Sequence, residues 1–265
     1  MDNQADVFRD EPVGGIDSRP APMGWPMMLL QVVTVMAAYL LASVLAFIPM
    51  GAMGIDLTAG PEAIPSFWLA MSVIASAIGG LLVAWAWLAR EGRVRAVWDF
   101  SAPESWRTTL LWAGAGLIGT ILLFSLGSIA LEALGFPPPD ASLILNAVTE
   151  SPLMFAIWVS GVAIFAAGLG EELLWRGFLM DRLSRVAGLR GRWTLILIIQ
   201  AVLFGLPHIY QGLGGVLLTG LIGLLFGVIR IMQKGNLWAV FIAHATYDTL
   251  AMTLVYTENA GWLGG

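Results

Sequence analysis

The sequence contains no cysteine among its 265 residues and is poor in charge, with 12% charged against 58% hydrophobic residues. The missing cysteine excludes disulfide frameworks, cysteine-ligated zinc, iron–sulfur clusters and thiol catalysis. Soluble domains carry about 25% charged residues, about twice the charged fraction of this chain.

Basic residues are also scarce, with 13 Lys and Arg against 18 Asp and Glu. This balance argues against a nucleic-acid partner, because binding phosphates requires concentrated positive charge. The composition predicts a polytopic membrane protein embedded in the lipid bilayer.

Seven stretches of the chain are long and apolar enough to cross the bilayer as helices, which takes about 20 residues for about 30 Å of hydrocarbon. An eighth segment, Ala141 to Val148, is too short to span. The predicted fold class is therefore all-α, a polytopic helical membrane protein with about seven to eight transmembrane helices. The seven stretches cover about 27–50, 64–89, 108–130, 153–170, 193–206, 214–231 and 237–256.

All 13 bases lie at alternate ends of these stretches. Because Lys and Arg prefer the cytoplasmic side, this pattern predicts an integral membrane protein with seven spans and a cytoplasmic N-terminus. Residues 1–25 are polar, rich in Pro and Gly, and net acidic, so we expect a disordered cytoplasmic tail there. We expect no cleaved signal peptide, because the start is not basic. Residues 26–265 form the predicted membrane domain.

Apart from the bases that close the segments, ionisable residues at the ends of the fourth and fifth segments and within the seventh are rare and fall in three places: 171–176, 207–208 and 244–248. Such residues are unfavourable in lipid and commonly mark a functional site. The only two histidines of the chain, His208 and His244, both lie here. At about 1.5 Å per helical residue, three helices can bring these places together in one cluster, in the cytoplasmic half of the membrane.

Helical spacing predicts which side chains share a face. Glu172 and Arg176 lie four residues apart in the favourable acid-before-base order, so we expect them to pair. Glu171 points about 100° away from Glu172 and is expected to be free for another partner. His244 and Asp248 are likewise four apart and face the same way from one helix.

A cluster of Glu171, His208 and His244 is suited to hydrolysis in two alternative ways. A carboxylate and a histidine can remove a proton from water, while a second histidine donates a hydrogen bond to the resulting oxyanion. Two histidines and a glutamate can also bind zinc with an open fourth position. The residues leave open whether the cofactor is none or a single divalent metal such as zinc.

Three motifs resemble, in order and spacing, those of the CPBP intramembrane protease family, also called the Abi or CAAX-protease family. EELLWRG (171–177) resembles the EExxxR motif, and FGLPH (204–208) resembles FxxxH. HATYD (244–248) resembles a histidine followed four residues later by Asn or Asp. The resemblance covers about residues 150–256, so the first three predicted helices contribute little to it.

The resemblance implies an intramembrane endopeptidase whose substrate is a protein or peptide, either prenylated or otherwise membrane-anchored. Glu171 would activate water with His208 as its partner. The remaining roles implied are oxyanion stabilisation by His244 and Asp248, and support of the site by Glu172 and Arg176. The prenyl-protease branch usually has Asn where this chain has Asp248, which favours a bacterial-type member in a bacterial cytoplasmic membrane.

Two other functions stay open from the sequence. A proton-coupled membrane carrier would also place Glu and His inside the bilayer, where they relay protons. A non-catalytic scaffold or immunity protein of the same family would carry the same residues as an active enzyme.

Overall fold

The computed structural model describes residues 20–55, 60 and 63–260, and the regular elements in this part of the chain are all helical. The predicted all-α class is confirmed. In chain order the elements are α1 (Trp25–Leu45), α2 (Ile48–Ala52), α3 (Ser66–Arg90), α4 (Val94–Val97), α5 (Trp106–Ala133), α6 (Ser142–Thr149), α7 (Pro152–Ile157), a π helix (Trp158–Leu179), α8 (Met180–Arg185), α9 (Trp193–Gly205), a 3₁₀ helix (Leu206–Gln211), α10 (Gly212–Met232) and α11 (Trp238–Asn259).

Five stretches of the described chain are long and apolar enough to cross a membrane, judged by length and composition. They are Trp25–Ala52, Ser66–Arg90, Trp106–Ala133, Pro152–Arg185 and Trp193–Met232. The last stretch contains the predicted fifth and sixth segments, joined by the 3₁₀ helix. The predicted seventh, α11, has 22 residues, but its His, Asp and four Thr residues lower its mean hydropathy below that of the other five. The short predicted segment is α6, with eight residues.

The predicted fourth segment does not end at Gly170. It continues through the π helix and α8 as one helical stretch of 34 residues, Pro152–Arg185. The charged residues of this extension other than Glu171 pair with one another or with Glu91 and Arg93, which follow α3, so the backbone can stay helical past them. The stretch packs against both α3 and α11 and forms the centre of the bundle.

Two pairs of long helices that follow each other in the chain run antiparallel, α1 with α3 and α9 with α10. Gln31 of α1 donates to Glu91 just beyond the far end of α3, at 3.2 Å, while Ala42 lies against Gly79. Gly205 of α9 contacts Val216 of α10, while Leu197 contacts Gly227. These pairs bring the helix ends that carry the bases to one end of the bundle. That end is the one predicted to face the cytoplasm.

The predicted tail, residues 1–25, falls mostly on residues 1–19, which lie outside the described chain. Residues 21–23, which we expected in the tail, are instead bound to the end of α8. Met23 donates its backbone N–H to Arg185 O at 3.0 Å, and Arg185 Nε donates to Ala21 O at 3.0 Å. The bundle therefore begins a few residues before α1.

Candidate active site

The π helix places Glu171 and Glu172 between two neighbouring helices. A Cβ atom on Gly168 would lie 2.7 Å from Ala245 Cβ of α11, and one on Gly170 would lie 3.3 Å from Ala77 Cβ of α3. The glycines thus let both helices approach the turn that carries the two glutamates. Stretches of π helix occur frequently at functional sites.

Glu172 is fully buried and accepts two hydrogen bonds on the same carboxylate oxygen. Arg176 Nη1 donates to Oε1 at 3.0 Å, so the pairing predicted from their spacing is present. His244 Nδ1 donates to the same oxygen at 2.7 Å. The other oxygen, Oε2, has no hydrogen-bond partner among the described residues. A buried carboxylate between a guanidinium and an imidazole ties the π helix to α11.

Asp248 lies on the other side of the His244 ring. Its Oδ2 is 3.6 Å from His244 Nε2, which is an ion-pair distance and too long for a hydrogen bond. The predicted contact between His244 and Asp248 is therefore present as an ion pair, and the hydrogen-bond partner of His244 is Glu172. Asp248 is about a quarter exposed, with 24% of its side chain accessible, whereas Glu172 and Arg176 are fully buried.

Two phenylalanines cover the Arg176 guanidinium. Its Cζ lies 4.0 Å from the ring centre of Phe204 and 5.2 Å from that of Phe226. The negative face of an aromatic ring attracts a cation, which offsets part of the lost hydration of a buried charge. Phe204 carries this contact from the second motif. Phe226, which no sequence signal marked, adds to it from α10.

A cavity of about 40 Å³ lies beside Glu171 and His208, which come from different elements. It is large enough for water, which needs about 10–15 Å³. Glu171 is partly exposed and forms no hydrogen bond or ion pair among the described residues, as the sequence predicted for a residue facing away from Arg176. The residues lining the cavity are Met36, Tyr39, Glu171, Leu174, Trp175, Phe204, Pro207 and His208.

His208, which lines this cavity, keeps one nitrogen free as an acceptor. Its Nδ1 lies 3.2 Å from Phe204 O, and since a carbonyl can only accept, Nδ1 carries the hydrogen in this contact. In the neutral ring, Nε2 then keeps its lone pair. Pro207 cannot continue an α helix, and α9 ends at Gly205 and continues as a 3₁₀ helix that carries His208.

The predicted cluster is thus divided into two neighbouring groups. Glu171 and His208 line the cavity, whereas His244 is hydrogen-bonded to Glu172. Consequently, across residues 20–55, 60 and 63–260, no three His, Asp or Glu side chains are grouped so as to hold a metal ion. The predicted zinc ligands Glu171, His208 and His244 are not assembled in this structure, because His244 is drawn towards Glu172.

Two residues that sequence analysis missed support the site from the N-terminal half. Trp98, after α4, donates its indole N–H to Leu173 O at 2.9 Å. A Cβ atom on Gly177 would lie 2.8 Å from Trp98 Cδ1, so the indole packs closely on the π helix. Tyr39 of α1 lines the cavity. Neither residue stands in a motif, and only the tertiary fold brings them to the glutamates.

The fold and the cavity define a helical membrane protein with a glutamate and a histidine facing a space of water size. Residues 152–250 match the family described as Type II CAAX prenyl endopeptidase Rce1-like. The predicted resemblance to the CPBP proteases is thereby confirmed for this part of the chain, which includes all six predicted site residues. The match supports a peptidase set in a membrane. No curated protein and no solved structure matches the chain.

Proposed function

We propose that this protein is an intramembrane endopeptidase that hydrolyses a peptide bond of a protein substrate at or within the membrane. One observation carries the proposal: Glu171 and His208, from two separate helical elements, line the same water-sized cavity. A carboxylate and a neutral histidine on either side of a water can together remove its proton. The match to an endopeptidase family over residues 152–250 supports the same reaction.

In the proposed reaction a water molecule lies between the Glu171 carboxylate and His208 Nε2. Its oxygen adds to the carbonyl carbon of the scissile peptide bond while its proton passes to the Glu171–His208 pair. The tetrahedral intermediate then collapses, the carbon–nitrogen bond breaks, and the pair returns the proton to the leaving amine. The apolar wall formed by Leu174, Trp175 and Phe204 keeps out bulk water, which strengthens these interactions.

The second group, Glu172, Arg176 and His244, has a supporting role in this proposal. Its hydrogen bonds fix the turn of the π helix from which Glu171 projects. Since Glu172 and Arg176 are fully buried, neither contacts the cavity water. Asp248 orients the His244 ring from its exposed side.

For the substrate, we propose a membrane-anchored protein, with a prenylated C-terminus as one candidate. The name of the matching family refers to prenylated CAAX proteins, and the cavity is lined mostly by apolar side chains. The Asp at position 248 favours a bacterial-type substrate without a prenyl group. We further propose a bacterial cytoplasmic membrane as the location, with the basic end of the bundle inside.

The first prediction concerns Glu171→Ala and His208→Ala, assayed in purified protein in lipid nanodiscs. We expect each change to lower cleavage of a quenched fluorescent peptide library at least about 100-fold, because each removes half of the group that activates water. The library is used with unmodified and with farnesylated C-termini. Cleavage of only the farnesylated set would identify a prenylated substrate.

Glu132→Ala is the matched control, since Glu132 is exposed in the last turn of α5 and does not line the cavity. Unfolding temperatures should stay unchanged for all three variants. Near-normal turnover of Glu171→Ala would contradict the mechanism. Cleavage that is lost on chelation and restored by zinc would show that the mechanism includes a metal. Proton uptake into sealed vesicles without any cleavage would instead support the carrier.

A further inference from the structure

The cavity has two walls of different origin. One wall comes from the region that matches the peptidase family, residues 152–250, and contains Glu171 and His208. The other wall is Met36 and Tyr39 of α1, more than a hundred residues earlier in the chain. The site is therefore completed by a helix to which neither the motifs nor the family match assigns a role.

Two adjacent glycines of α3 hold α1 in this place. A Cβ atom on Gly79 would lie 2.7 Å from Ala38 O and 2.7 Å from Ala42 Cβ, so only glycine allows the two backbones this close. A Cβ atom on Gly80 would lie 3.2 Å from Tyr39 Cδ2 and 3.2 Å from Leu174 Cδ1. The Tyr39 ring thus rests on the bare backbone of Gly80, beside a residue of the opposite wall.

The hydrogen-bonding character of the cavity shows what Tyr39 can add. An ionised Glu171 and the free Nε2 of His208 are both acceptors, which suits a water but not a carbonyl oxygen. His244, which the motif resemblance implied as the oxyanion donor, gives its Nδ1–H to Glu172 and does not line the cavity. The lining side chains that carry another donor hydrogen are Tyr39, through its hydroxyl, and Trp175, through its indole N–H.

We infer that the Tyr39 hydroxyl binds the carbonyl oxygen of the scissile peptide bond and donates a hydrogen bond to the oxyanion that forms there. This inference rests on the proposed hydrolysis. Glu171 and His208 hold the attacking water from one wall, and Tyr39 polarises the carbonyl from the other. Helix α1 is thereby part of the active site.

Tyr39→Phe tests the inference, because it removes the hydroxyl and keeps the ring on Gly80. Loss of an oxyanion donor lowers kcat by about 100-fold. We expect KM to change little, since the donor binds the transition state more strongly than the ground state. Tyr256→Phe is the matched control: this ring stacks on Phe155 with centroids 4.3 Å apart, about 18 Å along α11 from His244. It should leave both constants unchanged.

The same peptide library and nanodiscs separate the outcomes. If wild type cleaves and Tyr39→Phe loses kcat while its unfolding temperature is kept, the inference is supported. If wild type cleaves and Tyr39→Phe is unaffected, or only KM rises, the inference is wrong while the proposed function stands. If Trp175→Phe loses kcat and Tyr39→Phe does not, the inference is also wrong while the proposed function stands. If wild type cleaves no peptide, the proposed function fails and the inference with it.

Discussion

At the scale of single residues, the most constrained group is the buried Glu172–Arg176–His244 contact. Three polar side chains meet at one carboxylate oxygen, with Glu172 and Arg176 fully buried. A charge in such a place is tolerated only while its partner is present. Arg176 depends on Glu172 and on the rings of Phe204 and Phe226. The group therefore couples the π helix to α9, α10 and α11.

Glu172→Ala and Arg176→Ala should each lower the free energy of unfolding by about 3–5 kcal/mol, because each leaves the other charge buried and unpaired. Thermal or denaturant unfolding in detergent measures this. The double variant Glu172→Gln/Arg176→Met should recover most of the stability, since it removes both charges together. Its activity should stay low, because His244 loses its carboxylate partner. Single variants as stable as wild type would contradict this reading of the pair.

The residue contacts also show where sequence reasoning stops. Glu172 and Arg176 were predicted to pair because a four-residue spacing is a local property of a helix. The bond from His244 to Glu172 joins residues 72 positions apart, and no local rule gives it. The prediction placed His244 with Asp248, four residues away, and this contact is the longer of the two.

At the scale of elements, the crossing of α1 over α3 decides the shape of the cavity. It depends on Gly79, where any side chain would meet Ala38 O and Ala42 Cβ, each at 2.7 Å. Gly114 of α5 offers a comparison, since it is also a helical glycine but has no atom within 4 Å of a built Cβ. A glycine-to-alanine change at each position therefore separates two effects on stability: the higher helix propensity of alanine, which applies at both, and overpacking between helices, which applies at Gly79 alone.

Gly79→Ala should push α1 away from α3 and lower the free energy of unfolding by about 1–3 kcal/mol, the usual effect of overpacking. It should also reduce cleavage, because Tyr39 moves with α1. Gly114→Ala should be neutral or slightly stabilising, since alanine favours the helix by up to about 1 kcal/mol. Unfolding curves and turnover of both variants check this. Equal effects of the two changes would show that the close crossing does not matter.

At the scale of the whole molecule, an ion network joins the first, third and central helices at the basic end of the bundle. Glu91 Oε2 accepts from Arg182 at 2.7 Å and from Arg185 at 2.5 Å, while Gln31 donates to Oε1. Asp181 adds ion pairs to Arg93 and Arg182. Burial alone would raise the pKa of Glu91, but the two arginines outweigh it and hold the pKa below its ordinary value of 4.5.

Because the pKa of Glu91 is lower in the folded protein, its ionised form stabilises the fold at any pH above about 4.5. This contribution disappears as the pH falls below 4.5 through the folded pKa. Glu91→Gln should therefore lower the unfolding temperature at pH 7 and make it less sensitive to acid. Glu104→Gln is the control, since Glu104 pairs with Lys234 at the surface, where their side chains are 80% and 75% exposed. If the unfolding temperature depended on pH in the same way in wild type and Glu91→Gln, the proposed contribution of Glu91 to stability would be contradicted.

By itself, the sequence determined the membrane class, the helical architecture and the identity of the three motifs. Low charge, long apolar stretches and fixed short spacings are local properties, so they can be read without a fold. The sequence did not predict the π helix, because hydrophobic periodicity carries too little information to separate it from an α helix.

Only the tertiary structure decided how the motif residues are grouped and what completes the cavity. The direction of a side chain depends on which helices cross, and these crossings depend on glycines such as Gly79 and Gly168, whose packing partners are distant in sequence. Glu171 therefore lines one cavity with His208, Glu172 is hydrogen-bonded to His244, and Tyr39 reaches the cavity from the first helix. Such contacts arise from packing over long sequence separations, and no spacing within a motif can specify them.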